Sequence, residues 1–303
     1  MTRPTSLTLA LVAVAAGAPA RAADGAPATG AGTGRHAAAI SAPFEPGDPS
    51  PEPAAGPEHG KAFTCDATPV EPGTVELELA WAPSWWAAPG SLDRAGDAQW
   101  FVLAAGVGIL PDLDVRAALG WAFLRESGGS DPAARGAGPG DAALAVRWRF
   151  LRLASPAVDL AVIGNAVAPT GTPETPAALG TGQGAWSAGG ALVASADRAP
   201  WTANAEVGWS SRLGAGRGDD VGLLAVNLAV GLQVAPWLQP EVELNYQHEV
   251  EQGPEADERI LWGTAGLVVP LPPARVVVGA RFPLWQANAS AGPALTAAVK
   301  LAF

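Results

Sequence analysis

The residues with most chemical scope in this chain are charged ones placed at alternate positions: Glu76 with Glu78, Arg147 with Arg149, Glu241 with Glu243. Side chains two apart leave a strand on the same face, so each pair shares one wall. Glu241 and Glu243 would stand roughly 6–7 Å apart, a carboxylate separation that glycoside hydrolysis uses. His248, with Ser210 or Ser211, offers the pieces of a nucleophilic hydrolase, which also needs a group to orient the imidazole. His36, His59, Cys65 and Asp66 are of metal-ligating type, but their spacing is irregular. Each grouping has a plainer account. A polar strand face supplies a glutamate pair without chemistry, and alternation turns His248 away from the polar side of its strand. No phosphate loop or dinucleotide fingerprint lies in a strand–helix context. The expectation is a protein that is not an enzyme and holds no cofactor and no metal.

The elements that position these charges are strands. Val75, Leu77, Leu79 and Trp81 alternate with Glu76 and Glu78, and the chain ends on the same rhythm, with Leu295, Ala297, Val299, Leu301 and Phe303 apolar. Further segments follow at about 98–109, 113–124, 141–152, 157–167, 185–195, 200–211, 221–235, 237–249, 258–269, 274–283 and 293–303, twelve strands in all. Their connections alternate in length. Leu110-Pro111-Asp112, Leu153 to Pro156, Ala196 to Pro200, Ala235-Pro236 and Pro270 to Pro273 are short; Arg125 to Gly140, Ala168 to Gly184 and Val250 to Asp257 are long. Even strand number with short turns at one end and long loops at the other is the pattern of an outer-membrane barrel. The predicted fold class is all-β, a transmembrane antiparallel up-and-down barrel of about twelve strands, and the other reading is a soluble secreted β-protein.

The chain before the strands sets the compartment. Residues 1–22 carry Arg3, an apolar run from Leu7 to Ala16 and the small-x-small site Ala20-Arg21-Ala22, which predicts a cleaved signal peptide. Residues 23–69 are rich in Ala, Gly and Pro, with few large apolar residues to offset ordering entropy, and are predicted as a disordered periplasmic lead. Whether this lead plugs the barrel is left open. The barrel is assigned to 70–303. Formal charge is −11 and becomes −13 once Arg3 and Arg21 leave with the signal, so nucleic acid is not an expected partner. Cys65 is the one cysteine of 303 residues, which excludes an internal disulfide.

Alternation then assigns the faces. Leu144, Val146, Trp148 and Phe150 oppose Arg147 and Arg149; Val276, Val278, Ala280 and Phe282 oppose Arg275 and Arg281. In a lipid-embedded barrel the apolar set faces outward and the polar set lines the lumen. The predicted lumen-lining residues are Glu76, Glu78, Arg116, Arg147, Arg149, Glu206, Glu241, Glu243, Arg275, Arg281 and Lys300. Small residues on the same wall, Ala118, Gly120, Ala145, Gly189, Gly231 and Gly279, would keep a passage open. Trp81, Trp85, Trp86, Trp100, Trp121, Trp186, Trp201, Trp209, Trp237, Trp262 and Trp285 are predicted mostly at strand ends, at headgroup level.

Val70-Glu71-Pro72-Gly73 ahead of Glu76-Leu77-Glu78-Leu79, Gly138-Pro139-Gly140-Asp141 ahead of Leu144 to Phe150, and Pro169-Thr170-Gly171 together resemble the MetA-pathway of phenol degradation family of outer-membrane transporters. The resemblance covers about 70–303. It implies a barrel in the cell outer membrane of a Gram-negative bacterium and a link to aromatic compounds. Phe303 resembles the terminal residue by which barrel-assembly machinery recognises such chains. The expected function is a channel or transporter for passive passage of small solutes, hydrophobic or aromatic ones among them, with outer-membrane lipid, the assembly machinery and the solute as partners. The alternative is a closed structural or adhesive barrel acting through its outer loops.

Overall fold

The computed structural model describes residues 62, 64–87, 94–128, 134–154, 157–172, 178–182, 184–213, 222–250, 257–289 and 291–303. The predicted signal peptide, the predicted lead up to residue 61 with His36 and His59, and the side chain of Trp86 lie outside them. Twelve strands follow in order: β1 Val75–Ala87, β2 Arg94–Leu110, β3 Leu113–Gly128, β4 Ala134–Ala154, β5 Ala157–Ala168, β6 Trp186–Arg198, β7 Trp201–Leu213, β8 Gly222–Leu232, β9 Gln239–Val250, β10 Glu258–Leu271, β11 Ala274–Ala287 and β12 Ala294–Ala302. Each pairs antiparallel with its neighbours in sequence, and β12 returns to β1 to close the barrel. Closure leaves no edge, so the main-chain donors and acceptors of the wall are met inside it. The last residue takes part: Val75 N donates to Phe303 O at 3.1 Å, and Phe303 N to Val75 O at 3.0 Å.

The distribution of side chains is the reverse of a water-soluble core. Glu76, Arg116, Arg147, Gln239 and Lys300 are among the most buried residues, while Leu79 (60 %), Leu144 (53 %) and Val242 (61 %) are exposed on the outer face. A continuous apolar surface of this size is suited to lipid, not water. Aromatic rows bound it. Near the loops, register puts Trp81, Phe101 and Trp121 side by side on β1, β2 and β3; near the turns stand Trp148, Phe150, Trp201 and Trp237. Trp121 lies eight residues along β3 from Leu113, the partner of Trp148. That is about 26 Å along a strand at 3.3 Å per residue, or roughly 20 Å of height at a tilt of 35–45°. Leu144→Arg, midway between the rows, is therefore expected to cost about 2–4 kcal/mol in urea unfolding from lipid vesicles.

Two expectations are corrected here. Arg125 to Gly140 was expected as a long loop, yet β3 continues to Gly128 and β4 begins at Ala134. Its Gly and Pro composition is overridden by pairing: Phe123 faces Ala137, Arg125 faces Arg135, and Pro139, which has no N–H, falls at the register shift between Leu119 and Trp121. The free side of that extension is covered by the β5–β6 connection, where Leu179 N donates to Arg135 O at 3.0 Å and Thr172 N to Pro139 O at 3.3 Å. The second correction concerns Trp100 and Trp262. Both point into the barrel, Trp100 above Gly120 and Gly140 and Trp262 buried against Arg281, 4.4 Å from its ring. Room for the Trp100 ring comes from glycines on neighbouring strands and a partner for Trp262 from Arg281, so spacing along one strand reveals neither.

Candidate functional site

All eleven charged residues expected on the inner wall are buried there: Glu76, Glu78, Arg116, Arg147, Arg149, Glu206, Glu241, Glu243, Arg275, Arg281 and Lys300. They divide into two territories. On the side of β12, β1, β3, β4 and β5 the wall is ionic. Glu76 and Arg116 face each other across Gly106 of the intervening β2, whose missing side chain lets the guanidinium reach the carboxylate. Arg116 also lies 3.9 Å from Glu78, which Lys300 Nζ approaches at 3.2 Å. Arg147 pairs with Asp114, donating from Nε at 3.0 Å, and Arg149 bridges Asp112 at 2.9 Å and Asp159 at 2.7 Å. On the side of β7 to β10 the wall is a chain of hydrogen bonds. Thr264 donates to Asn245 at 2.9 Å, Asn245 to Asn227 at 3.2 Å, and Asn227 to Glu206 Oε2 at 3.0 Å.

What lies between the two territories is the end of the lead. Residues 64–70, with Ala62 before them, cross the lumen and are held mainly by their backbone. Ala62 N donates to Glu243 Oε1 at 2.7 Å and Thr64 Oγ1 to Glu243 Oε2 at 2.7 Å. Cys65 N reaches Glu206 Oε2 at 3.3 Å, while Cys65 O accepts from Asn204 Nδ2 at 3.0 Å. Asp66 O accepts from Arg147 Nη1 at 2.8 Å, and Ser195 Oγ donates to Asp66 Oδ1 at 3.0 Å while accepting from Ala67 N at 2.8 Å. Val70 N ends the run on Asp114 Oδ2 at 2.8 Å. Its side chains are small enough to pass: Cys65 and Ala67 pack on Ala145, Ala161, Ile163 and Val193, and Ala62 on Val268 and Val277. Thus Ala145, one of the small residues expected to keep the passage open, instead makes room for the lead, and Gly120 makes room for the Trp100 ring.

The lead was expected to be disordered through residue 69, and its last residues, 64–69, are instead fixed in the lumen. The entry point is equally tight. A Cβ on Gly108 would stand 1.9 Å from Val70 O and 2.9 Å from Glu71 O, both backbone. Gly108→Ala is therefore expected to push the base of the lead off the wall. Cys65, buried as the chain's one thiol, is the reporter: maleimide labelling of the refolded protein should rise several-fold in the variant.

On the loop side of Cys65 a small cavity of about 20 Å³ remains beside the lead, lined by Ile163, Ala191, Leu223 and Ala225 with Asn165, Glu206 and Ser210 at polar points. With the lead in place it has room for about one water; its walls are mostly apolar with a few fixed polar groups. Other groupings weighed from the sequence stay apart. Ser210 faces the lumen, whereas His248 is on the outer face, bonded to Asp257 at 2.9 Å. Of the glutamate pair, Glu243 is engaged by the lead. The Gly138-to-Asp141 and Pro169-to-Gly171 motifs meet: Asp141 Oδ1 accepts from Gly171 N at 2.8 Å, and Thr170 Oγ1 accepts from Ala142 N at 2.8 Å. A Cβ on Gly182 would stand 2.5 Å from Asp141 Oδ1, so glycine there is a matter of contact. Among the described residues no group of three or more His, Cys, Asp or Glu is placed to hold a metal ion.

The barrel fold is similar to the crystal structure of the COG4313 outer membrane channel from Pseudomonas putida F1, with a TM-score of 0.66 at 14 % identity over 78 % of this chain and 98 % of that one. The fold is that of an outer-membrane β-barrel. The β domain of the Bordetella autotransporter BrkA also matches, with a TM-score of 0.49 at 12 % identity over 76 % and 99 % of the two chains. No protein-family model and no curated relative matches the chain. The likeness carries the barrel architecture, and the particular family that the short motifs resemble rests on those motifs alone.

Proposed function

We propose that this chain is an outer-membrane passage for small solutes whose lumen is closed at rest by its own N-terminal lead. The observation that carries the reading is how the lead is held. Carboxylates and hydroxyls of the wall take its backbone N–H groups, and its side chains there are small. A permanent filling would be expected to interdigitate large side chains with the wall; a segment bound through a handful of polar contacts can leave as a unit. Once the lead leaves, the wall of Ile163, Ala191, Leu223 and Ala225 with Asn165, Glu206 and Ser210 would face a small, largely apolar solute with one or two polar groups, hydrophobic or aromatic compounds among them. Outer-membrane lipid would surround the exposed apolar band, and the barrel-assembly machinery would recognise the strand ending in Phe303.

The alternative, a closed structural or adhesive barrel acting through its outer loops, draws on the ionic wall of Glu76, Arg116, Asp114 and Arg147, which braces the lumen. Planar-bilayer conductance of the refolded chain, with and without the residues before Val70, tests one against the other. Rare or no steps in the full chain and steady discrete steps in the truncated one are expected. Silence from both, with a folded barrel verified by circular dichroism, would remove the passage and leave the closed barrel.

A further inference from the structure

The outer face of the β1–β4 wall is graded by height, and register makes the grading measurable. Leu79, Leu103 and Leu119 share one row, Trp81, Phe101 and Trp121 the next towards the loops, and Trp85, Asp97, Arg125 and Arg135 a row above that. Arg125 is four residues beyond Trp121, about 13 Å along the strand or roughly 10 Å in height at the usual tilt. The aromatic row marks the edge of the hydrocarbon, so this charged row lies at headgroup level.

Within the row Arg125 and Arg135 are direct cross-strand partners. Like charges in that position repel, and the carboxylate beside them bonds one of the two: Arg125 Nε donates to Asp97 Oδ1 at 3.0 Å, with the arginine 62 % exposed. Among the described residues no side chain is bonded to the Arg135 guanidinium. The contrast is on β9 and β10, where His248 and Arg259 are also cross-strand partners but share the carboxylate of Asp257, at 2.9 and 3.4 Å. There one carboxylate bonds both members of the pair; at Arg125 and Arg135 the carboxylate bonds only Arg125.

The geometry points to Arg125 and Arg135 as a clamp for the phosphate of an outer-leaflet glycolipid such as lipid A. The partner is a lipid and not a free anion because the clamp faces outward, directly above the lipid-facing rings of Trp121 and Phe123. A phosphoglycolipid can lay its acyl chains along those rings and its phosphate between two guanidiniums, each a planar donor fork matched to phosphate oxygens. This inference rests on the reading that the barrel spans the outer membrane.

The test uses the full mature chain refolded in detergent. Native mass spectrometry would follow titration with diphosphoryl lipid A, with dephosphorylated lipid A and with inorganic phosphate, for the wild type, R125Q/R135Q and R259Q. Heat-modifiable migration certifies each barrel first. Lipid A should bind the wild type and R259Q alike and the double variant about tenfold more weakly, and loss of the phosphates should weaken wild-type binding to a similar extent. Equal binding to wild type and double variant would overturn the clamp while leaving the barrel in its membrane. Competition by inorganic phosphate at the same concentrations would overturn the lipid assignment in favour of a free-anion site. A wild type that stays in water without detergent and shows no heat-modifiable form would remove the membrane reading and the clamp with it.

Discussion

Arg147→Met is expected to destabilise the barrel by about 3–5 kcal/mol and to release the lead at the same time. Arg147 and Asp114 are both 2 % exposed and paired on adjacent strands, so deleting the cation leaves a carboxylate buried opposite an apolar side chain. The same guanidinium donates to Asp66 O, and the same carboxylate accepts from Val70 N, so the pair grips the lead at two points four residues apart. Two readouts separate the effects. Urea unfolding from vesicles gives the stability loss, and Cys65 labelling below the unfolding transition gives the release of the lead. Adding Asp114→Asn to Arg147→Met should recover part of the stability, since the stranded charge is gone, but not the protection of Cys65, since Asp66 O has still lost its donor. Recovery of both would mean that the lead senses the pair only through the overall stability of the wall.

Glu243→Gln is expected to raise the labelling rate of Cys65 by roughly ten- to a hundredfold with little change in unfolding. Both carboxylate oxygens of Glu243 are in use: Oε1 takes Ala62 N, and Oε2 takes Thr64 Oγ1 and, at 3.3 Å, Asn245 Nδ2. An amide of the same shape keeps one acceptor and turns the other into a donor, which faces a donor on Asn245. Loss of one or two charge-assisted hydrogen bonds is worth about 1.5–3 kcal/mol, which is the stated range of rates. Glu206→Gln should act in the same direction and less, because its bond to Cys65 N is longer at 3.3 Å. In the bilayer, Glu243→Gln should show openings that the unaltered chain lacks. Unchanged labelling and unchanged conductance would mean that packing of Cys65 and Ala67 against Ile163 and Val193 holds the lead, with the hydrogen bonds following.

These expectations also separate the two accounts of the ionic wall. If Glu76, Arg116, Glu78 and Lys300 serve to brace an open tube, they should be indifferent to the lead, and truncation before Val70 should leave unfolding nearly unchanged. If wall and lead form one cooperative filling, truncation should lower stability along with opening the lumen. The contacts favour the first outcome for β12, β1 and the Arg116 end of β3: Glu76, Glu78, Arg116 and Lys300 pair among themselves, whereas Arg147, Asp114, Ser195, Glu206 and Glu243 each touch the lead.

What the amino-acid sequence determined by itself was the wall. A strand repeats every two residues, so Glu76 and Glu78 had to share a face, as did Leu77 and Leu79, and the alternation of short and long connections told which end was which. Those local rules were enough for strand number, for closure and for the inward direction of all eleven charged residues. Tertiary structure alone decided how the lumen is used. The lead binds through backbone N–H groups, which every non-proline residue has, to partners from 44 to 181 residues away, so no pattern in Ala62 to Val70 announces it. The Glu76–Arg116 pair depends on a glycine on the strand between them, Trp100 turns inward over Gly120 and Gly140, and Trp262 turns inward against Arg281. Periodicity fixes the face on which a side chain stands; what meets it across a closed barrel depends on register, on small neighbours and on chain that arrives from far away in sequence.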